Sequence, residues 1–189
     1  MSWTAVVPLK QGGDPKSRLS SILSPSRRVA LSIHMAKLVI EALRASDRID
    51  RILLFSPIAP PAPIDAEWCE DKGLGLNQGL TSLRCELAER AMLVINGDLP
   101  LVGPRDIEAM VRGAEERGHA LAPDRHDVGT NAVALMPGQV FSFAFGKDSF
   151  ARHRADAPQA AVIRRRGLAI DVDTPDDLEL AKASGFQIP

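Results

Sequence analysis

Short, continuous apolar runs alternate with longer helical patterns along the first two-thirds of this sequence. The runs cover 3–8 (WTAVVP), 52–55 (ILLF) and 91–95 (AMLVI). Hydrophobicity that is continuous instead of alternating is typical of parallel strands with both faces buried. A long helix is predicted from Pro25, capped by Ser24, because proline suits the first helical position. Two further helical patterns cover about 78–90 and 104–117. This order predicts right-handed crossovers and a mainly parallel sheet.

The last third of the sequence has a different pattern, with short strand candidates separated by turns. These candidates cover 119–122, 131–135, 161–165 and 168–172. Two short helices are predicted at about 149–156 and 175–183, and Thr174 with Asp177 forms a capping box for the second. We therefore predict a single α/β domain over 1–189. Its central sheet is mainly parallel and becomes mixed toward the C-terminal third, with helices on both faces.

Composition and charge exclude several classes of protein. The 23 basic and 24 acidic residues leave a formal charge of −1, so no overall field attracts nucleic acid or an anionic membrane. The sequence contains no uncharged apolar run of membrane-spanning length, and from its first residues we expect no targeting segment. Cys69 and Cys85 lack metal-type spacing, which favours a reducing compartment. We predict a cytoplasmic protein that binds neither nucleic acid nor membranes.

A basic, glycine-containing segment follows the first predicted strand, where ligands bind in open α/β sheets. The segment 9–19 (LKQGGDPKSRL) carries Lys10, Lys16 and Arg18 beside two glycines. Backbone amides and fixed cations of this kind suit a polyphosphate. The segment is neither a P-loop nor a dinucleotide fingerprint. A solvated basic loop is the alternative interpretation.

Carboxylates stand at the ends of two other predicted strands. Asp98 follows the run 91–95, and Asp171 and Asp173 lie two apart at the end of the predicted strand 168–172. Residues two apart on a strand share a face, so these carboxylates could hold one divalent cation. Alternatively, Asp98 is a turn residue and Asp173 merely precedes the last helix. Neither alternative explains Asp171, and the pattern favours metal-assisted nucleotide chemistry.

The ordered motifs VPLK, KSRL, GLN, GDLP, GTNA, FGKDSFARH and GLAIDVDTPDDL resemble one family over about 5–183. This is the 2-phospho-L-lactate guanylyltransferase family of coenzyme F-420 biosynthesis, which includes enzymes acting on phosphoenolpyruvate and 3-phosphoglycerate. The resemblance implies a GT-A-like nucleotidyltransferase fold. It also implies transfer of GMP from GTP to the phosphate of a three-carbon acid, with Mg²⁺ as cofactor and pyrophosphate as product.

The same resemblance assigns residues to roles. It implies catalytic roles for Lys10, Lys16 and Asp98, and Mg²⁺ ligands at Asp98, Asp171 and Asp173. It implies nucleotide contacts at Pro8, Leu9, Lys10, Lys16, Arg18 and Asn77. It implies acceptor contacts at Thr130, Gly146 and Ser149, where free amides at the start of a helix could also receive an anion. Among the neighbours of Ser149, we select Arg152 over His153 and Arg154 as a cation for the acidic acceptor.

Several alternatives stay open at this point. The acceptor can be 2-phospho-L-lactate, phosphoenolpyruvate or 3-phosphoglycerate. A molybdopterin guanylyl- or cytidylyltransferase, or a non-catalytic nucleotide-binding module, is the alternative function. The resemblance hints at a homodimer, but no predicted helix has an apolar patch that requires a second copy. The proline-rich segment 57–63 is predicted to be a surface excursion away from the site.

Overall fold

A computed structural model describes residues 2–9, 14–61 and 63–189 of the chain. The strands are β1 Trp3–Pro8, β2 Ile49–Ser56, β3 Glu67–Glu70, β4 Ala91–Ile95, β5 His119–Pro123, β6 Thr130–Leu135 and β7 Ala161–Val162. The helices are α1 Pro25–Arg44, α2 Leu76–Glu86, α3 Pro104–Arg117, α4 Ser149–Asp156, α5 Arg166–Ala169 and α6 Pro175–Ala183. A short 3-10 turn covers Ser17–Leu19. No helix in these ranges is both long and apolar enough to cross a membrane.

The strands form one sheet in the order β3-β2-β1-β4-β6-β5-β7. Strands β3, β2, β1 and β4 are parallel, and β7 is parallel to β5. Strand β6 is antiparallel to both of its neighbours, β4 and β5. Its first residue, Thr130, therefore lies at the edge of the sheet where β4 ends. The predicted mixed sheet of an α/β fold is confirmed.

Both faces of the sheet are covered, as the continuous apolar runs predict. In β1, Ala5 and Val7 pack in a cluster that includes Ile40 of α1 and Met110 of α3. Val6, between them, packs in the opposite cluster, which includes Leu80 of α2 and a group of phenylalanines. Successive residues of one strand thus enter different hydrophobic layers, which pins the register of the central strand.

A third, smaller cluster connects the loop after β1 to the C-terminal part of the chain. Leu19 from the 3-10 turn packs with Leu31 and Met35 of α1, with Val172, and with Leu178 of α6. Leu19 and Val172 are fully buried. This packing brings the segment that carries Lys16 next to the segment that carries Asp171 and Asp173.

Three details of the predicted secondary structure are wrong or incomplete. The strand predicted over 168–172 does not form: helix α5 ends at Ala169, and the Val172 amide then donates to the Asp98 carbonyl at 3.1 Å. The predicted strand 161–165 is limited to the two residues of β7. Strand β3 was not predicted, because this short edge strand reads EWCE and presents mostly exposed residues. Cys69 and Cys85 are free thiols.

Gly167 is the point where α5 packs most tightly on its neighbours. A Cβ at this position would lie 2.2 Å from Asp106 Oδ2 and 2.8 Å from the Leu101 carbonyl. We expect Gly167→Ala to lower the free energy of unfolding by roughly 1–3 kcal/mol through overpacking, measured by urea denaturation. Gly103→Ala is the control, since its Cβ would meet nothing nearer than 3.9 Å. Equal stability of the two variants would contradict this account of α5.

Candidate active site

A cavity of about 980 Å³ opens at the edge where the parallel strands end. Most of the site residues predicted from the sequence line it, which brings together segments from the whole length of the chain. The predicted residues in its wall are Pro8, Leu9, Lys16, Arg18, Asp98, Thr130, Gly146, Ser149, Asp171 and Asp173. The sheet edge therefore forms one chemical site, as the rule for open α/β sheets predicts.

The Lys16 ammonium group joins two of the predicted carboxylates. Its Nζ donates to Asp98 Oδ2 at 2.6 Å and to Asp173 Oδ1 at 2.7 Å. The side chain of Lys16 is only 11% exposed. Burial by itself lowers the pKa of Lys16, but the charges of Asp98 and Asp173 raise it above its ordinary value. Lys16 is therefore a permanently charged cation in the wall of the cavity.

The backbone around Lys16 is held in an unusual conformation by α1. Lys16 has φ 52° and ψ 41°, the left-handed region that non-glycine residues seldom adopt. The buried guanidinium of Arg28 forms an ion pair with Asp14 and donates to the carbonyls of Pro15 and Leu23. Arg28 therefore fixes both sides of the turn, and the strained conformation aims the Lys16 side chain at the carboxylates.

Asp171 and Asp98 form the acidic part of the site. Burial, and to a lesser extent the negative charge of Asp98, raise the pKa of Asp171 to about 6. Asn131 Nδ2 donates to Asp171 Oδ1 at 3.1 Å and to the Leu168 carbonyl at 3.0 Å, which fixes this carboxylate against β6. The second oxygen of Asp98, Oδ1, is buried and has no hydrogen-bond partner among the described residues.

The carboxylate oxygens of Asp98 and Asp171, called here the acidic corner, are suitable ligands for a hard divalent cation. The three predicted ligands do not, however, form one cluster. Within the described ranges, no set of three carboxylate, histidine or cysteine side chains is close enough to surround a metal ion. The Lys16 ammonium instead lies between Asp98 and Asp173. The unpaired Asp98 Oδ1 and the mutual repulsion of Asp98 and Asp171 are what a cation would satisfy.

The predicted acceptor residues lie on the other side of this corner. Gly146 has φ +116°, a conformation that favours glycine, and Ser149 is buried at the start of α4. The expectation of free amides there is wrong for two of them: the Ser149 amide donates to the Gly146 carbonyl, and the Phe150 amide to that of Val128. The Ser149 and Phe150 amides are therefore not available to an anion at this position.

The Thr130 hydroxyl is oriented by a histidine that the sequence analysis passed over. His153 is fully buried, and its Nε2 accepts a hydrogen bond from the Ala144 amide at 2.9 Å. The proton of the neutral ring therefore lies on Nδ1, which donates to Thr130 Oγ1 at 2.9 Å. Because the Thr130 oxygen already accepts this bond, its own hydrogen is free to point elsewhere, including into the cavity.

Two predicted site residues of the described structure, Asn77 and Arg152, do not line the cavity. Lys10 lies outside the described residues. Both polar atoms of the Asn77 side chain bond the Phe145 backbone. Nδ2 donates to the Phe145 carbonyl at 3.1 Å, and Oδ1 accepts from the Phe145 amide at 2.8 Å. Arg152 is exposed and donates to the Lys147 carbonyl. Asn77 and Arg152 therefore act here by shaping the loop that carries Phe145, Gly146 and Lys147.

The cavity wall also contains residues that sequence reasoning missed. Asn131 and Asp71 were not selected, and Pro57 belongs to the segment predicted to lie away from the site. Asn131 follows Thr130 in the motif GTNA, so the motif could have indicated it. Asp71 could not have been placed, because it follows the unpredicted strand β3.

Comparison with known proteins shows the family of this chain. The profile of the family described as "Guanylyl transferase CofC like" matches residues 3–182. The chain belongs to this family. It is 41% identical to a phosphoenolpyruvate guanylyltransferase of Sphaerobacter thermophilus, over 95% of this chain and 92% of that protein. It is 37% identical to the enzyme of the same name from Rubrobacter xylanophilus, over 98% of this chain and 96% of that protein.

Solved structures place the fold among nucleotide-transferring enzymes. A nucleotide-diphospho-sugar transferase-like protein of Desulfovibrio desulfuricans superposes with a TM-score of 0.74 at 14% identity, covering 97% of this chain and 88% of that one. The 2-C-methyl-D-erythritol 4-phosphate cytidylyltransferase of Thermus thermophilus gives 0.56 at 17% identity, covering 97% and 98%. The family and the fold together make this chain a nucleotidyltransferase.

The buried His153 makes a testable contribution to stability. Burial, and then the charge of Arg152, lower the pKa of His153 to about 4, whereas an unfolded histidine titrates near about 6.5. Between these two pKa values only the unfolded chain binds a proton at His153, which stabilises the unfolded state. The stability contributed by the neutral His153 ring is therefore complete above pH ~6.5 and declines as the pH falls toward about 4. The expected loss is roughly 3 kcal/mol in total.

The measurement is urea denaturation of wild type and His153→Gln at several pH values between 7 and 4. The difference in unfolding free energy between them should shrink as the pH falls, because only the wild type loses the contribution of a neutral, buried imidazole. The exposed His126→Gln variant is the control for loss of an imidazole elsewhere. Parallel pH profiles for wild type and His153→Gln would contradict the tautomer and the burial argued above.

Proposed function

We propose that this enzyme transfers GMP from GTP to the phosphate of phosphoenolpyruvate or a closely related three-carbon acid, as a step in coenzyme F-420 biosynthesis. The observation that carries the proposal is the buried Lys16 ammonium, joined to Asp98 and Asp173 in a cavity that also contains Thr130 and Ser149. The names of the relatives support guanylyl transfer and favour phosphoenolpyruvate over the other acceptors.

The chemistry follows from the charges. An oxygen of the acceptor phosphate attacks the α-phosphorus of GTP and forms a new P–O–P bond. The bond from the α-phosphorus to the bridging oxygen breaks, and pyrophosphate leaves with the electron pair. The nucleophile is already an anion, so no general base is needed, and the main obstacle is repulsion between two polyanions. The fixed charge of Lys16 reduces that repulsion on the nucleotide side, where Arg18 also lines the cavity.

Magnesium is part of the proposal, with Asp98 and Asp171 as its holding residues. The buried, unpaired Asp98 Oδ1 and the neighbouring Asp171 supply the oxygen donors that this ion prefers. When bound, Mg²⁺ would neutralise phosphate charge and orient the phosphate oxygens. Asp173, predicted as a third ligand, acts here by holding Lys16. Asn131 keeps Asp171 in position through its side-chain hydrogen bond.

The acceptor side is proposed at Thr130, Gly146 and Ser149. The Thr130 hydroxyl can donate to an acceptor oxygen because His153 already donates to Thr130 Oγ1. Lys147 also lines the cavity beside Gly146 and offers a positive charge to the acceptor carboxylate. A cytoplasmic location, a homodimer and a role for Lys10 stay predictions.

The direct test is pyrophosphate release from GTP with Mg²⁺, offered phosphoenolpyruvate, 2-phospho-L-lactate and 3-phosphoglycerate separately. We expect release with phosphoenolpyruvate at the highest kcat/KM, and no release when Mg²⁺ is chelated. Mass spectrometry of the product should find GMP attached to the acceptor phosphate. Release with none of the three acids would contradict the proposed function.

Asp98→Asn tests the proposed role of the acidic corner. The variant removes a charge that both holds Lys16 and contributes to the cation site, so turnover should fall by at least about a hundredfold. Asp127→Asn is the matched control, because Asp127 is an exposed carboxylate outside the cavity wall and pairs with Arg164. Near-normal turnover by Asp98→Asn, with a stability like that of the control, would overturn the assignment.

A further inference from the structure

One carboxylate in the cavity wall has no role in the chemistry described above. Asp71 is the first residue after β3 and lines the cavity. Strand β3 is at one edge of the sheet, two strands from β1, which precedes Lys16, and three from β4, which precedes Asp98. The Oδ1 atom of Asp71 is buried and has no hydrogen-bond partner among the described residues. A buried carboxylate oxygen is costly unless a donor satisfies it, and an unsatisfied one in a native protein needs an explanation. A ligand in the cavity can supply that donor.

The surroundings of Asp71 are apolar. The Asp71 backbone amide donates at 2.9 Å to the carbonyl of Ser56, the last residue of β2. Asp71 therefore lies in space at the end of β2, next to Pro57. A Cβ at Gly79 would lie 2.5 Å from Phe55 Cζ and 3.3 Å from Asp71 Oδ1, so the ring and the carboxylate approach the same point on α2. Phe55, Pro57 and Leu76 all line the cavity. This part of the wall is an apolar slot that also contains the Asp71 carboxylate.

Neighbouring strands extend the slot toward the nucleotide residues predicted from the sequence. The Leu9 amide donates to the Phe55 carbonyl at 2.9 Å, which places Pro8 and Leu9 beside the same slot. From β3 to β4 there are three strand spacings, or about 14 Å. This separation suits a nucleotide whose base lies near Asp71 while its phosphates extend toward Lys16 and Asp98.

We infer that Asp71 selects guanine by accepting hydrogen bonds from its N1–H and exocyclic N2–H groups. An ionised carboxylate only accepts hydrogen bonds. Guanine presents two adjacent donors on its Watson–Crick edge, whereas adenine and cytosine present one amino group beside a ring acceptor, and uracil presents one N–H between two carbonyls. Asp71 is therefore a specificity-determining residue for the base, and this assignment rests on the proposed use of GTP.

The test compares the binding of three nucleotides by isothermal titration calorimetry, with Mg²⁺ and without acceptor. ITP lacks the exocyclic amine of GTP, and XTP carries a carbonyl at that position. Wild type should prefer GTP over ITP by about 10- to 100-fold, the scale of a charge-assisted hydrogen bond. Asp71→Asn should bring this ratio close to one. It should also bind XTP at least about tenfold more tightly than wild type does, because its amide can donate to the xanthine carbonyl.

Glu70→Gln is the matched control. Glu70 is the exposed carboxylate next to Asp71 and is not in the cavity wall of the described structure, so its removal should leave all three affinities unchanged. Wild-type selectivity in Asp71→Asn would overturn the inference. An equal loss of affinity for all three nucleotides in Asp71→Asn would also overturn it, because that result assigns Asp71 a purely structural role.

The binding assay separates this inference from the proposed function. If wild type binds GTP selectively through Asp71 but transfers GMP to none of the three acids, the proposed reaction fails and the base assignment stands. If transfer occurs while Asp71→Asn keeps its preference for GTP over ITP, the base assignment fails and the reaction stands. Absence of any GTP binding by wild type would overturn both.

Discussion

The arrangement of the site depends on one ammonium group held between two carboxylates. Lys16 bonds Asp98, 82 positions away, and Asp173, 157 positions away, so this contact joins three segments that lie far apart in the sequence. The hydrophobic cluster of Leu19, Val172 and Leu178 brings the Lys16 and Asp173 segments together, and the Val172 amide bonds the Asp98 carbonyl. Arg28 fixes the turn before Lys16. Hydrophobic packing therefore brings the segments close to each other, and the ion pairs of Lys16 set the final positions of the side chains.

The reversed strand β6 brings its first residues to the sheet edge where the parallel strands end. In a wholly parallel sheet, Thr130 and Asn131 would begin a strand at the opposite edge of the sheet. Because β6 is antiparallel to β4, they lie beside the end of β4, and the Asn96 amide donates to the Asn131 carbonyl at 2.9 Å. Asn131 then holds Asp171, and Thr130 contacts His153. One change of strand direction thus brings the acidic corner and the proposed acceptor side together.

Much of the fold and part of the site could be predicted from sequence patterns. The buried strands β1, β2 and β4 are continuous apolar runs, and the carboxylate after β4 and the lysine after β1 reach the cavity. His153 was passed over because its arginine neighbours in sequence suggest a solvated helix face, whereas its side chain is fully buried. Asp71 was missed because β3 is a short edge strand without an apolar signal. Burial decided by distant packing is not visible in a local pattern.

The most direct test of the account is the GTP affinity of Lys16→Met compared with that of Lys147→Met, measured by calorimetry with Mg²⁺. Both lysines line the cavity, but only Lys16 lies between Asp98 and Asp173. We predict that Lys16→Met weakens GTP binding by at least about a hundredfold, since it removes a mostly buried charge, while Lys147→Met binds GTP nearly as wild type does. Equal GTP affinities for the two folded variants would contradict the central role given to Lys16.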